Sequence, residues 1–426
     1  IELYKRYGID ESLSDEEKRI IAGVRYEMFL RSFSLSNRYT FAEDIPMDTV
    51  VRLKEAAYTL DGMDIVEEAI RVYTAGDVAP HLIGTVGAIN AEEYSENKAN
   101  GYALNDVIGK SGIEKAMESK LRGTKGTRTL ELLNGAVVSD MVTEEAVPGN
   151  TIKLTLDMNY QRKVQEILEN HILWLNNQTS YNKKGENANA GAIVVLDVKT
   201  GALLAAATAP TYDINDYLTD YASVINRENT PLVNRATNGL YRPGSTFKTV
   251  TATAALNEGF VNKSSMIFCG QKYTYWDDYK PNCTGWHGSI NVVTAIEKSC
   301  NIFFYEVGRL MGPYMIESYA NQYGLGDDCY LETGGAKGKI ATPETMQQVN
   351  QEWQAGLVVQ VAIGQSETAV TPLQMAVQAS TIANKGVRYQ PHLVDSVYTY
   401  NMEDVVSVIE PEIMLTIPDK TGETFD

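Results

Sequence analysis

The chain has 426 residues, of which 44% are apolar and 22% charged, with a formal net charge of −18 and a pI near 4.8. That length leaves room for two or three ordinary hydrophobic cores, and the acidity argues against nucleic acid as a partner. No run of 18 apolar residues offers a membrane span and no signal peptide opens the chain. The four cysteines and four histidines show no Cys-x-x-Cys or His-x-x-x-His spacing, so neither a disulfide scaffold nor a metal cluster is expected.

In chain order, residues 1–40 place apolar positions at helical spacing, and Ser14 with Glu17 fits a capping box. Met47–Leu60 reads as a helix, followed by a strand ending at Val72-Tyr73. Ser111–Gly123 reads as one helix, capped by Ser111 and closed by Gly123. Strands follow at Arg128–Leu133 and Ala136–Ser139, and Pro148-Gly149-Asn150 marks a domain boundary. Beyond it the pattern predicts a strand at Thr151–Leu156, a helix over residues 160–175 and a polar mobile loop from Gln178 to Asn189. Ala190–Asp197 and Ala202–Thr208 form a hairpin around Lys199-Thr200-Gly201, apolar enough to be covered on both faces. Further helices are expected over 291–324 and at Pro372–Asn384, with a last hairpin over 393–409; Trp353–Gly364 reads as the apolar approach to a core strand. The fold class is α+β, a sheet flanked by helices behind an elongated N-terminal part.

Chemistry concentrates in Tyr241-Arg-Pro-Gly-Ser-Thr-Phe-Lys248. Pro243-Gly244 turns the chain into a breaker-free helical run, with Ser245 on its first turn and Lys248 three residues later on the same face. A serine hydroxyl needs a base to become a nucleophile, and a lysine supplies one when burial lowers its pKa. Backbone N–H groups at a helix N-terminus suit a developing oxyanion. Ser-x-x-Lys alone is weak, since it also describes a capping serine beside a solvated lysine. A second element, Ser299-Cys300-Asn301, raises its weight.

The order Ser-x-x-Lys then Ser-x-Asn resembles the penicilloyl-serine transferases. The likeness extends through Ala190–Ala205, Pro231–Lys248, His287-Gly288, Ala362-Ile-Gly-Gln365 and Val370-Thr-Pro-Leu-Gln374. Upstream, His81-Leu-Ile-Gly-Thr-Val-Gly87 and Gly109–Lys115 resemble the pedestal of class B penicillin-binding proteins, the transpeptidase-only group. The resemblance implies a pedestal (dimerisation-type) domain at 1–149 and a penicillin-binding, serine β-lactamase-like domain at 150–426. It implies a peptidoglycan D,D-transpeptidase: Ser245 is acylated by a D-Ala-D-Ala stem peptide or a β-lactam, Lys248 is its base, Ser299 relays a proton, and Asn301 holds the substrate amide and the lysine. It implies no cofactor, and it implies work beside a membrane glycosyltransferase and other wall-synthesis proteins on the extracytoplasmic face of the cell membrane. The alternatives are a D,D-carboxypeptidase or β-lactamase, and a β-lactam sensor or scaffold that acylates without turnover.

The family's third motif, Lys-Thr-Gly on a substrate-binding strand, has two candidates. Lys199-Thr200-Gly201 precedes the nucleophile and reads as a turn. Lys420-Thr421-Gly422 has the right order, but Pro418 spoils its strand; otherwise the motif lies past residue 426. With no membrane helix at the start, the chain reads as a fragment short at both ends and weakly active at most. Among smaller features, Cys269 and Cys283 either pair or stay as thiols, and Cys300 reads as a small buried residue. His287 reads as shaping a turn, and Tyr273–Tyr279 as a solvated loop or part of the substrate groove.

Overall fold

The computed structural model describes residues 2–34, 39–56, 60, 63, 65–67, 69–133, 136–178, 185 and 187–425. Two compact units divide the chain: Ile1–Val72 with Ala88–Val107, and Tyr73–Gly87 with Ile108–Asp426. The first is helical. Its Asp15–Leu30 helix carries the expected capping box, with Ser14 Oγ accepting from Glu17 N and Glu17 Oε2 accepting from Ser14 N. A second capping box, Asn90 with Glu93, opens the Ala91–Asn97 helix.

Several local expectations are corrected. Met47–Ala56 is helical and the following residues 57–59 lie outside the described residues, while residues 69–73 form no strand. Tyr73 instead lies buried, its hydroxyl accepting from Val86 N in the second unit. The single helix expected at Ser111–Gly123 is two short ones, Gly112–Ala116 and Glu118–Leu121, and Ser111 does not cap; its Oγ accepts from Thr85 N. Trp353–Gly364 leads to no strand: Leu357–Val361 is a helix with Val358, Val359 and Val361 buried. Valine tolerates helix when packing rewards it, which overrides its weak local preference for strand. The polar loop expected over 178–189 lies mostly outside the described residues.

In the second unit the Gly191–Leu196 and Leu203–Ala209 strands pair antiparallel. Asp197 Oδ1 accepts from Lys199 N and Thr200 N, and Gly201 closes the turn at φ +80, so Lys199-Thr200-Gly201 is the turn that the sequence suggests. One face of this hairpin (Ile193, Val195, Ala205, Ala207) packs on Val164 and Leu168 of the Met158–Asn176 helix. The other (Ala192, Val194, Leu203, Ala206) packs with Leu373 of the Pro372–Ala383 helix. Both faces are covered, which explains the near-continuous apolar pattern.

Among the described residues the Leu203–Ala209 strand has one strand partner. Gln161, fully buried, completes the other edge: its amide donates to Ala206 O at 2.9 Å and accepts from Ala206 N at 2.8 Å. Gln161→Leu strands both backbone groups in an apolar layer, and urea denaturation is expected to show a loss of roughly 2–4 kcal/mol.

A separate core holds the helices of the site. The Lys248–Asn257 helix is buried at nearly every position and is surrounded by Asn301–Met311, Pro313–Gln322 and Leu357–Val361. Its polar side chains are hydrogen-bonded inside the core, Thr251 to Ala362 O, Thr253 to Tyr323 and Asn257 to Pro418 O, so the helix can sit centrally. A three-stranded sheet of Thr151–Leu154, Val394–Tyr398 and Val405–Val408 forms the expected last hairpin with one added strand. No described helix is long and apolar enough to cross a membrane.

Candidate active site

Ser245 lies in a 3-10 turn, Gly244–Phe247, which runs into the Lys248–Asn257 helix. The turn is anchored on three sides. Phe247 is fully buried, Gly244 N donates to Gly364 O at 2.8 Å, and Gln378 Nε2 donates to Thr246 O at 3.1 Å. Tyr241 and Val370 exchange two backbone bonds just upstream. Ser245 is thereby presented as an exposed residue on a fixed turn.

Lys248, 2% exposed, points its amine inward. Nζ donates to Ser299 O at 2.7 Å, Ser299 Oγ at 3.0 Å and Asn301 Oδ1 at 2.7 Å, with the Phe304 ring 5.7 Å away. Three acceptors match the three N–H bonds of an ammonium. Burial nevertheless lowers its pKa from 10.5 to about 8, against the pull of Cys283 and Cys300. Ser299 has φ +49, the left-handed region that a residue with a Cβ enters at a cost, and its carbonyl is turned to the lysine. Asn301 begins the Asn301–Met311 helix. Of the four residues singled out from sequence, the fold joins Lys248, Ser299 and Asn301 directly; Ser245 stands on the turn that precedes them.

Residues 191–419 match the family described as penicillin binding protein transpeptidase domain. The chain belongs to the penicillin-binding protein transpeptidase family. Residues 4–154 match the penicillin-binding protein dimerisation domain, so the α+β pairing of that domain with a transpeptidase domain is the architecture here. The peptidoglycan D,D-transpeptidase MrdA of Escherichia coli K12 is 29% identical over 395 residues, covering 86% of this chain and 58% of that protein. MrdA of Haemophilus influenzae is 30% identical over 419 residues, covering 92% and 60%. The chain thus spans less than two thirds of these relatives. A solved peptidoglycan synthase complex, described as coordinating polymerization and crosslinking, superposes with a TM-score of 0.72 at 27% identity, covering 95% of this chain and 70% of that one.

Within this family frame Lys420 is misplaced for the third motif. Lys420 Nζ pairs with Glu258 Oε1 at 2.6 Å and Lys420 N donates to Asn257 Oδ1, at the C-terminal end of the helix that Lys248 begins. Ten residues of helix put it roughly 15 Å from the lysine along the axis. Sequence order alone does not reveal this.

Gly364 is the residue that sequence reasoning passed over. It lies in the quoted Ala362-Ile-Gly-Gln365 stretch, and its φ of +68 and contact with Gly244 explain why glycine stands there.

The cysteine spacing misled. Cys269, Cys283, His287 and Cys300 place one ligand atom each within 4.8 Å of one another. All four cysteines are free thiols, and His287 does more than shape a turn: its Nδ1 lies 3.4 Å from Cys269 Sγ and 3.7 Å from Cys283 Sγ. Cys300 is buried, as expected, but its sulfur faces Cys283 Sγ at 3.8 Å. Tetrahedral zinc with Zn–S near 2.3 Å and Zn–N near 2.0 Å demands S···S of about 3.8 Å and S···N of about 3.5 Å. The donor set and spacing fit a thiophilic divalent cation. Strand pairing of Ile267–Cys269 with Gly288–Ile290 brings the distant residues together, a tertiary event that local spacing does not encode. Burial opposes ionisation of Cys283, yet backbone N–H groups of Gly285, Ile302 and Asn301 lower its pKa, whereas burial raises that of Cys300.

The Tyr273–Tyr279 loop is solvated only in part: Thr274, Tyr275, Asp277 and Asp278 are exposed. Tyr273 is buried, its hydroxyl donating to Glu306, and Trp276 and Tyr279 pack on the core of the site.

Proposed function

We propose that the chain is a serine D,D-transpeptidase that cross-links peptidoglycan stem peptides and is acylated by β-lactams, acting at the extracytoplasmic face of a bacterial membrane beside a glycosyltransferase. Residues 1–149 serve as the pedestal and 150–426 as the catalytic domain. The observation that carries this reading is the buried Lys248 amine, tied to Ser299 and Asn301 three residues from an exposed Ser245. The likeness to MrdA and to the synthase complex supports the substrate class and the partner.

In this mechanism the Lys248 ammonium first loses a proton, which a lowered pKa makes accessible. Neutral Nζ then takes the Ser245 hydroxyl proton as Oγ attacks the penultimate D-alanine carbonyl. The Ser245 backbone N–H contributes to binding the oxyanion. Ser299 Oγ, in contact with Nζ, carries the proton to the departing D-alanine, and an acceptor amine releases the acyl group by the reverse path. Asn301 shares its Oδ1 with the lysine, and its amide nitrogen, which donates one N–H to Asn282 O at 3.5 Å, has a second for the substrate. A thiophilic divalent cation on Cys269, Cys283, His287 and Cys300 would be structural, bracing the loop that holds Ser299 and Asn301; it supplies no step.

Acylation by a fluorescent penicillin, read by intact mass, tests the reading. One adduct is expected on the parent and none on Ser245→Ala. An adduct retained by the variant, or none on the parent, sinks it.

A further inference from the structure

The three thiols of the donor cluster have a consequence that a purely structural site lacks. Cys300 stands between Ser299 and Asn301, so a backbone shift at Cys300 moves both residues that hold the Lys248 amine. Cys283 reaches the same turn from the other side, its sulfur accepting from Asn301 N at 3.2 Å. The two sulfurs are 3.8 Å apart, whereas a disulfide closes at about 2.05 Å. The backbone between them is already in a costly conformation at Ser299, with φ +49, and persists only while its surroundings impose it.

We propose that Cys283 and Cys300, when free of a bound cation, form an oxidant-operated switch on the acylation site. Hydrogen peroxide oxidises one thiol to the sulfenic acid, releasing one water. The second thiol attacks that sulfur, forming the disulfide and releasing a second water, so two thiols give two electrons and two protons to one peroxide. Closing the bond draws Cys300 toward Cys283 and takes the sulfur acceptor from the Asn301 N–H. Ser299 and Asn301 are displaced from Nζ, and Ser245 loses its base. A thiol reductant reverses the step by exchange. The activity readout rests on the transpeptidase reading above; the bond and the loop readouts do not.

The test uses the whole chain, reduced and treated with a chelator, then exposed to hydrogen peroxide. Two of the four thiols should disappear from titration, with peptide mapping giving a Cys283–Cys300 bond. Fluorescent-penicillin acylation should fall at least about tenfold and return with dithiothreitol. Amide exchange at Asn301 and Ile302 should rise. For Cys283→Ser the ratio of acylation before and after peroxide should stay near one, whatever its starting rate. No bond, a bond from either sulfur to Cys269, or a bond that leaves both acylation and exchange unchanged overturns the switch. If the reduced chain is not acylated at all, the transpeptidase reading fails, and amide exchange alone then decides the switch.

Discussion

Lys248→Met should lower the acylation rate of Ser245 by about 10³-fold, the scale of a lost general base. Methionine fills similar volume, so the loss reports chemistry more than packing. It still leaves Ser299 O, Ser299 Oγ and Asn301 Oδ1 without their donor, and a fall of a few degrees in melting temperature should accompany it. The parent chain should carry the complementary signature. Its Lys248 pKa is lowered by burial to about 8, and only the neutral amine accepts a proton, so acylation should climb with pH through about 8 and level off above. The same shift has a sign in stability. Between pH 8 and 10.5 the unfolded chain holds a proton that the folded chain has released, so this residue's penalty on the fold shrinks as pH rises through that window. A pH-independent acylation rate from 6 to 9, or a Lys248→Met variant within tenfold of the parent, would remove the lysine from the role of base.

Gly364→Ala should be the second large effect, although the residue touches no substrate. A Cβ there meets Gly244 O at 2.5 Å, Phe247 Cβ at 2.6 Å and Gly244 N at 2.9 Å, all parts of the turn that carries Ser245. The φ of +68 adds a backbone cost of roughly 1–2 kcal/mol for any residue with a Cβ. The turn must shift to make room, and a shift near 1 Å at a nucleophile costs on the order of 10²-fold in rate. Gly259→Ala separates strain from contact. Gly259 has φ +72 and nothing within 4 Å of the added carbon, so stability should fall comparably while acylation stays within about twofold. Equal acylation losses in the two variants would show that Gly364 acts through general destabilisation instead of through the nucleophile turn.

Much of this was open to reading from residues. Caps announce helices because a side-chain oxygen three residues before an orphan N–H makes a local bond, as Ser14 does for Glu17 and Thr371 for Gln374. Two apolar runs and a Gly turn announce the Ala190–Thr208 hairpin for the same local reason. Ser245, Lys248, Ser299 and Asn301 were named because their chemistry needs those side chains in that order, and the fold draws the last three together at hydrogen-bond distance. The places that misled are those where distant parts of the chain decide. The valines of Leu357–Val361 follow helix packing against Asn301–Met311, not their own propensity.

The sequence by itself determined the α+β class and the turn that carries Ser245, and it supplied the chemistry on which the proposed reaction rests, because caps, periodicity and side-chain chemistry act within a few residues. Only the tertiary structure decided where these meet. It placed Lys420 at the far end of the nucleophile helix despite its correct order, and set Gly364 against Gly244. It also gathered Cys269, Cys283, His287 and Cys300 around one point behind Ser299 and Asn301. Those outcomes rest on strand pairing and core packing between segments many residues apart, where spacing along the chain carries no distance in space.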